Sequence, residues 1–167
     1  MKKTITILLF IVAIFFAYFF LIKLRGLEIN PESNKSLSQL DVNDVSKTTL
    51  GKKVYSQHCA VCHGANLEGQ PNWKQPGPDG RMPAPPHDES GHTWHHPDSY
   101  LIHVVKEGLT PGVDKPIDYQ SNMPAFGQIL SNSEVIAVLT FIKSTWSIDY
   151  QEWQEDTNKP AKNATKS

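Results

Sequence analysis

The stretch Tyr55-Ser-Gln-His-Cys59-Ala-Val-Cys62-His63-Gly64 holds both cysteines of the 167-residue chain, and their spacing decides how the rest is interpreted. Cysteines at positions i and i+3 of a helical turn reach the two vinyl groups of a single porphyrin. The histidine that follows then directs its imidazole at the iron from the same side. The pattern of Cys59, Cys62 and His63 therefore predicts one covalently attached haem c.

Two other uses of the cysteines fit the sequence less well. A redox dithiol requires a surrounding βαβ pattern, and the sequence shows no convincing strand. A zinc site requires two further ligands, which only the distant His92 and His96 would supply.

Three helices are predicted between residues 46 and 153. The first starts near Thr48 and runs into the cysteines, with Gly51 inside it. An interior glycine costs about 1 kcal/mol relative to alanine, so Gly51 indicates close packing against a neighbour. The second helix has Pro97 as its first residue and ends at Gly108.

The third helix has the strongest signal. Ser131-Asn-Ser-Glu134 is a capping box. Apolar residues then recur at helical spacing, namely Val135, Val138, Leu139, Ile142 and Trp146. Residues 70–97, between the first two helices, hold seven prolines and are predicted to be loop.

These features resemble the small, single-haem class I cytochromes c of the bacterial membrane-anchored type. The resemblance covers about residues 48–148. It rests on the attachment helix, the helix ending at Gly108, and Asn122-Met-Pro-Ala-Phe126 before the last helix. It implies an all-α fold around one haem, with the first and last helices crossing. It further implies that His63 is the proximal iron ligand and that a methionine on a loop is the distal one.

Two methionines besides Met1 are candidates for the distal ligand, and each precedes a proline. Met123 lies between the second and third helices, as in the family, whereas Met82 lies inside the proline-rich loop. We expect Met123 to ligate. Iron held by imidazole and thioether has no open position, so the expected chemistry is one-electron transfer and not catalysis. A peroxidase-like enzyme is the alternative if Met123 does not ligate.

Residues 4–22 are 19 uncharged residues and are predicted to form a transmembrane helix. At about 1.5 Å per residue, such a helix is as long as the bilayer core is thick. A cleaved signal peptide would need a small-x-small site, which residues 18–25 lack. The flanking lysines and arginine do not settle orientation. Because the family receives its haem outside the cytoplasmic membrane, we expect a single-pass inner-membrane protein with a periplasmic haem domain.

The sequence predicts four segments: an anchor at 1–25, a flexible linker at 26–46, a cytochrome c domain at 47–153 and a disordered tail at 154–167. The alternative for the linker is a short extra helix near 37–45. Without residues 1–25 the chain has 12 Lys and Arg against 17 Asp and Glu, a net charge of 12 − 17 = −5. An acidic body argues against a nucleic-acid partner.

The loop at 81–96 is longer and richer in histidine than a minimal cytochrome c needs. His87, His92, His95 and His96, with Met82 nearby, could form a second metal site for copper or zinc. The favoured interpretation is a structured loop over the haem edge, with Trp94 packed on the macrocycle and Arg81 able to pair with a propionate.

The sequence as a whole therefore predicts a membrane-tethered periplasmic cytochrome c. We expect it to carry single electrons between respiratory redox partners. Two alternatives stay open: a haem c subunit of a larger oxidoreductase, and a metal-binding protein that uses the histidine-rich loop.

Overall fold

The computed structural model describes residues 15, 16, 18, 19, 40–113 and 115–159. The chain divides into two compact units, Met1–Leu37 and Ser38–Ser167. In the first unit the four described residues are helical and exposed. No helix among the described residues is long and apolar enough to cross a membrane. Apart from those four residues, the predicted anchor at 4–22 lies outside the described part.

The second unit is helical, as predicted for an all-α domain. Its helices are α1 (Val45–Val54), a π-helical turn (Tyr55–Cys59), α2 (Ala60–His63), a 3₁₀ turn (Thr93–His95), α3 (Asp98–Glu107), α4 (Asn132–Ser144) and α5 (Ile148–Thr157). Within 40–113 and 115–159, extended pairing is limited to the isolated bridges Met82–Ser121 and Pro111–Lys115. The all-α class is therefore confirmed for the residues that the structure describes.

Helices α1 and α4 cross at Gly51, which has no side chain to separate them. A Cβ placed on Gly51 would lie 2.6 Å from the carbonyl carbon of Ala137 and 2.7 Å from Cβ of Phe141. Because both distances are shorter than a van der Waals contact, only glycine permits this approach. The close packing predicted at Gly51 is confirmed.

The predicted ends of α3 agree with the structure to one residue, and α4 begins as predicted but ends at Ser144, two residues before Trp146. The amide of Ser131 donates to Oε2 of Glu134 at 2.9 Å, and the amide of Glu134 donates to Oγ of Ser131 at 3.3 Å, which completes the capping box. Pro97 immediately precedes α3, and Gly108 ends it with φ of +75°. Both signals are local, so they are visible in the sequence.

The predicted boundaries of the domain need correction at both ends. Leu40, within the predicted linker at 26–46, is buried, and its amide donates to Oδ2 of Asp98 at 3.3 Å. At the other end α5 continues to Thr157, inside the predicted disordered tail at 154–167. The buried Gln154 stabilises this end, because its Nε2 donates to Oδ1 of Asp98 at 2.7 Å. The buried carboxylate of Asp98 thus binds both ends of the unit.

Candidate functional site

The two cysteines lie where the first helix changes its winding. The sequence predicts one continuous helix that runs into the cysteines. The backbone instead forms a π-helical turn over Tyr55–Cys59 before α2 begins. Such wider turns are frequent at functional sites. The hydroxyl of Tyr55 donates to the carbonyl of Gly64 at 2.9 Å, beyond the C-terminal end of α2. This bond ties the two ends of the cysteine-bearing segment together.

His63 ends α2 as a buried residue with only 7% of its surface exposed. Its Nδ1 lies 2.8 Å from the carbonyl oxygen of Pro85. A carbonyl can only accept, so Nδ1 carries the proton and Nε2 keeps its lone pair. Burial lowers the pKa of His63, while the bond to Pro85 opposes the shift. His63 is therefore a neutral imidazole with a fixed tautomer, the form in which histidine binds metals.

A cavity of about 370 Å³ adjoins His63, within the range of about 300–1,000 Å³ typical of sites for small molecules and cofactors. Cys59, Cys62 and His63 all line it. A second part of the wall is apolar and comes mainly from α3 and α4, with Leu101, Val104, Val105, Val138, Leu139 and Ile142. A third part is polar and includes Gln70, Arg81, Lys115 and Tyr119.

Both candidate methionines line this same cavity, although they are far apart in the sequence. The amide of Met82 donates to the carbonyl of Gln120 at 2.8 Å, and Met82 forms an isolated parallel bridge with Ser121. In addition, Nη1 of Arg81 donates to Oδ1 of Asn122 at 2.6 Å. The two Met-Pro segments are therefore neighbours, a pairing that carries no sequence signal.

The four loop histidines were predicted as a possible second metal site, and the structure shows how the described residues around them are arranged. Within 40–113 and 115–159, no group of three or more His, Cys, Asp or Glu side chains is arranged to hold a metal ion. His87 stacks on His63, His92 on Trp73 and His95 on Trp94. Because the rings stack on different partners, they do not share one point of coordination. The described residues therefore contain no preformed copper or zinc site at His87, His92, His95 and His96.

The histidine-rich loop instead forms part of the cavity wall. His87, His92 and His96 line the cavity, as a loop over its edge requires. Trp94 does not line it, contrary to the expectation that it packs on the macrocycle. Its ring lies 4.9 Å from that of Tyr150 and 5.6 Å from that of Trp153, so it joins the loop to α5.

Burial governs the protonation of the groups at the cavity. It raises the pKa of Cys59 to about 11, with a smaller contribution from the charge of Cys62. It also lowers the pKa of His96 to about 4, to which His92 contributes. At neutral pH the Cys59 thiol is protonated and the buried imidazoles are neutral.

The model of the family described as Cytochrome c matches residues 48–146. The chain belongs to the cytochrome c family. The cbb3-type cytochrome c oxidase subunit FixP of Azorhizobium caulinodans is 24% identical over 125 residues. That alignment covers 70% of this chain and 38% of FixP, so the chain spans well under half the length of this relative. No solved structure gives a significant match.

The cofactor of this cytochrome c is one covalently bound haem c. The cavity fits that group, because it combines two thiols, an imidazole with a free lone pair and two thioethers with an apolar wall suited to a macrocycle. The polar wall offers a guanidinium, an ammonium and a phenol to the carboxylates that such a macrocycle carries. When bound, the haem supplies an iron that cycles between its ferric and ferrous states. The chain is thus an electron-transfer haem protein.

Proposed function

We propose that this cytochrome c is a membrane-tethered, periplasmic carrier of single electrons between respiratory redox partners. Cys59 and Cys62 form the thioether bonds, His63 is the proximal ligand and Met123 is the distal ligand. The observation that carries the proposal is the hydrogen bond from Nδ1 of His63 to Pro85, at the wall of a cavity that both cysteines also line. That bond leaves Nε2 of a neutral imidazole for the iron.

The position of the loops supports Met123 over Met82 as distal ligand. Met82 belongs to the same short segment as Pro85, whose carbonyl holds His63. Met123 lies between α3 and α4, which is the position of the distal methionine in the family to which the chain belongs. Met123 precedes Phe126, whose amide donates to the carbonyl of Val105 at 2.9 Å. The Met123 loop is therefore held to α3, which lies on the apolar wall.

The protein's own contribution to electron transfer is rigidity. Pro124 fixes the backbone φ beside Met123, and the amide of Met123 donates to Oγ of Ser121 at 3.1 Å. Ligands that stay in place through both oxidation states keep the reorganisation energy of electron transfer small. With His63 and Met123 both holding the iron, the haem would have no open position for a substrate, which supports a carrier and not an enzyme.

The apolar segment at 4–22 supports the membrane tether. A tethered domain has a high effective concentration near partners in the same membrane without any additional contact. The covalent haem supports a periplasmic orientation, because the family acquires its haem outside the cytoplasmic membrane.

Reactivity of the full-length protein in detergent tests the carrier function. We expect reversible one-electron oxidation and reduction, and no turnover of hydrogen peroxide in either state. His63→Gly, which removes the proposed proximal ligand, serves as the positive control for an opened iron site. Peroxide turnover by the wild-type protein at the rate of that variant would favour the peroxidase-like alternative.

The similarity to FixP supports a second candidate, a haem c subunit of an oxidase complex. Mild solubilisation of the native membranes distinguishes the two. A free carrier separates from other redox proteins during size exclusion, whereas a subunit stays with them in a fixed ratio. A control run at high salt removes loosely bound proteins, because surface ion pairs are screened.

A further inference from the structure

We propose that His87 is a positioning residue for His63, because its ring covers one face of the proximal imidazole and fixes the orientation of that imidazole. The inference deepens the proposed function and rests on His63 being an iron ligand. It also gives a role to one of the four loop histidines.

The two imidazoles are in direct contact. Their ring centroids lie 3.9 Å apart and their planes are inclined by 24°, which is a stacked arrangement. The bond from Nδ1 of His63 to Pro85 holds one edge of the proximal ring. A single hydrogen bond leaves a ring free to swing about the bond direction. A flat surface against the face of the ring removes that freedom.

His87 can serve as such a surface because its own position is fixed from several sides. Its amide donates to the carbonyl of Leu67 at 2.8 Å, and its carbonyl accepts a bond from Nε1 of Trp146 at 2.8 Å. The ring is held separately, since its Nδ1 lies 2.9 Å from Oγ1 of Thr93. Tyr55 meets the ring edge-on at a centroid distance of 6.2 Å. Backbone and ring are therefore both anchored to different parts of the fold.

The His87 ring also excludes water from the face of His63 that it covers, because the two rings are in van der Waals contact.

Two substitutions of His87 distinguish the effect of a flat ring against His63 from the effect of filling the same space. His87→Phe keeps a ring against His63, whereas His87→Leu fills the space without a flat surface. The readouts are the g values of the ferric holoprotein in electron paramagnetic resonance and the hyperfine-shifted haem methyl signals in proton NMR, since both depend on the plane of the axial imidazole. We expect His87→Phe to keep the wild-type pattern and His87→Leu to shift both.

Two further variants complete the test. Thr93→Val keeps the His87 ring but removes the partner of its Nδ1, and it should shift both readouts less than His87→Leu. His95→Ala is the matched control, because His95 is exposed and stacks on Trp94 outside the cavity lining. It should leave both readouts unchanged.

Unchanged spectra in His87→Leu would overturn the inference, and so would equal shifts in His87→Phe and His87→Leu. Failure of the proposed function looks different, because it is read from the wild type alone. A wild-type ferric spectrum without a low-spin imidazole-ligated iron would show that His63 does not ligate, whatever the variants do.

Discussion

Two parts of the cavity wall, one helical and one formed by a loop, are built on different principles. Apolar side chains of α3 and α4, such as Leu101, Leu139 and Ile142, form one wall, and their helical spacing turns them inward together. The loop segment at 82–96 forms the other wall. Its position depends on main-chain bonds, such as those from Trp146 to the carbonyl of His87 and from Met82 to the carbonyl of Gln120.

This difference has an energetic consequence. The helical wall is stabilised by many burial contacts, each of which contributes a modest share. The loop wall depends on a small number of hydrogen bonds between residues far apart in the sequence. A single substitution in the loop wall should therefore loosen the loop while the helices stay folded. A substitution at the crossing of α1 and α4 should instead destabilise the helices.

Gly51→Ala changes the residue at that crossing and should have the largest effect on stability. The new Cβ would lie 2.6 Å from the carbonyl carbon of Ala137, so the backbones of α1 and α4 must separate. We expect a loss of about 3 kcal/mol or more in the free energy of unfolding, measured by urea denaturation of the holoprotein. The exposed Lys52→Ala on the same helix is the control and should change stability by less than about 0.5 kcal/mol. Equal stability of the two variants would contradict the described crossing.

Trp146→Phe should loosen the loop wall alone. The change removes the indole donor of a partly buried hydrogen bond to the His87 carbonyl and should cost about 1–3 kcal/mol. Far-ultraviolet circular dichroism should show unchanged helix content, while urea denaturation shows the loss. The half-exposed Trp153→Phe is the control. A loss of helix in Trp146→Phe would mean that the two walls are not separable.

Ser131→Ala tests the helical wall at its end. It removes the side-chain oxygen that accepts the amide of Glu134 in the capping box. Losing such an N-cap side chain typically costs about 1 kcal/mol, so the free energy of unfolding should fall by that amount. Asn132→Ala, at the first residue of α4, is the control. A loss as large as that of Gly51→Ala would show that the cap does more than terminate the helix.

Glu134→Gln should give the smallest effect, and one that depends on pH. Hydrogen bonds from the side chain and backbone of Ser131 lower the pKa of Glu134 from its ordinary value of 4.5. A depressed folded-state pKa contributes stability above pH 4.5, which is lost as pH falls through the folded-state pKa. The stability difference between wild type and variant should therefore vanish in acid. A difference that grew as pH fell would contradict the assigned direction.

The helical wall could be read from the sequence because its signals are local. Ser131 with Glu134 marks the start of α4, Gly108 marks the end of α3, and Gly51 marks the crossing. The helix α5 was missed because its burial does not follow an apolar period. Its fully buried residue is Gln154, which is held by Asp98.

The loop wall could be predicted only in outline. The cysteine spacing predicts His63 as the proximal iron ligand. The bond from His63 to the carbonyl of Pro85 involves a main-chain atom, so it has no sequence signal. The same holds for the pairing of Met82 with Ser121. The histidine-rich loop suggested a metal site because composition does not reveal that His87, His92 and His95 stack on three different rings.

The central claim, an iron held between His63 and Met123, is tested most directly by the absorption spectrum of the ferric full-length protein beside Met82→Ala and Met123→Ala. We predict that the far-red band of thioether-to-iron coordination persists in Met82→Ala and disappears in Met123→Ala. Loss of the band in Met82→Ala, or its survival in Met123→Ala, would contradict the assignment.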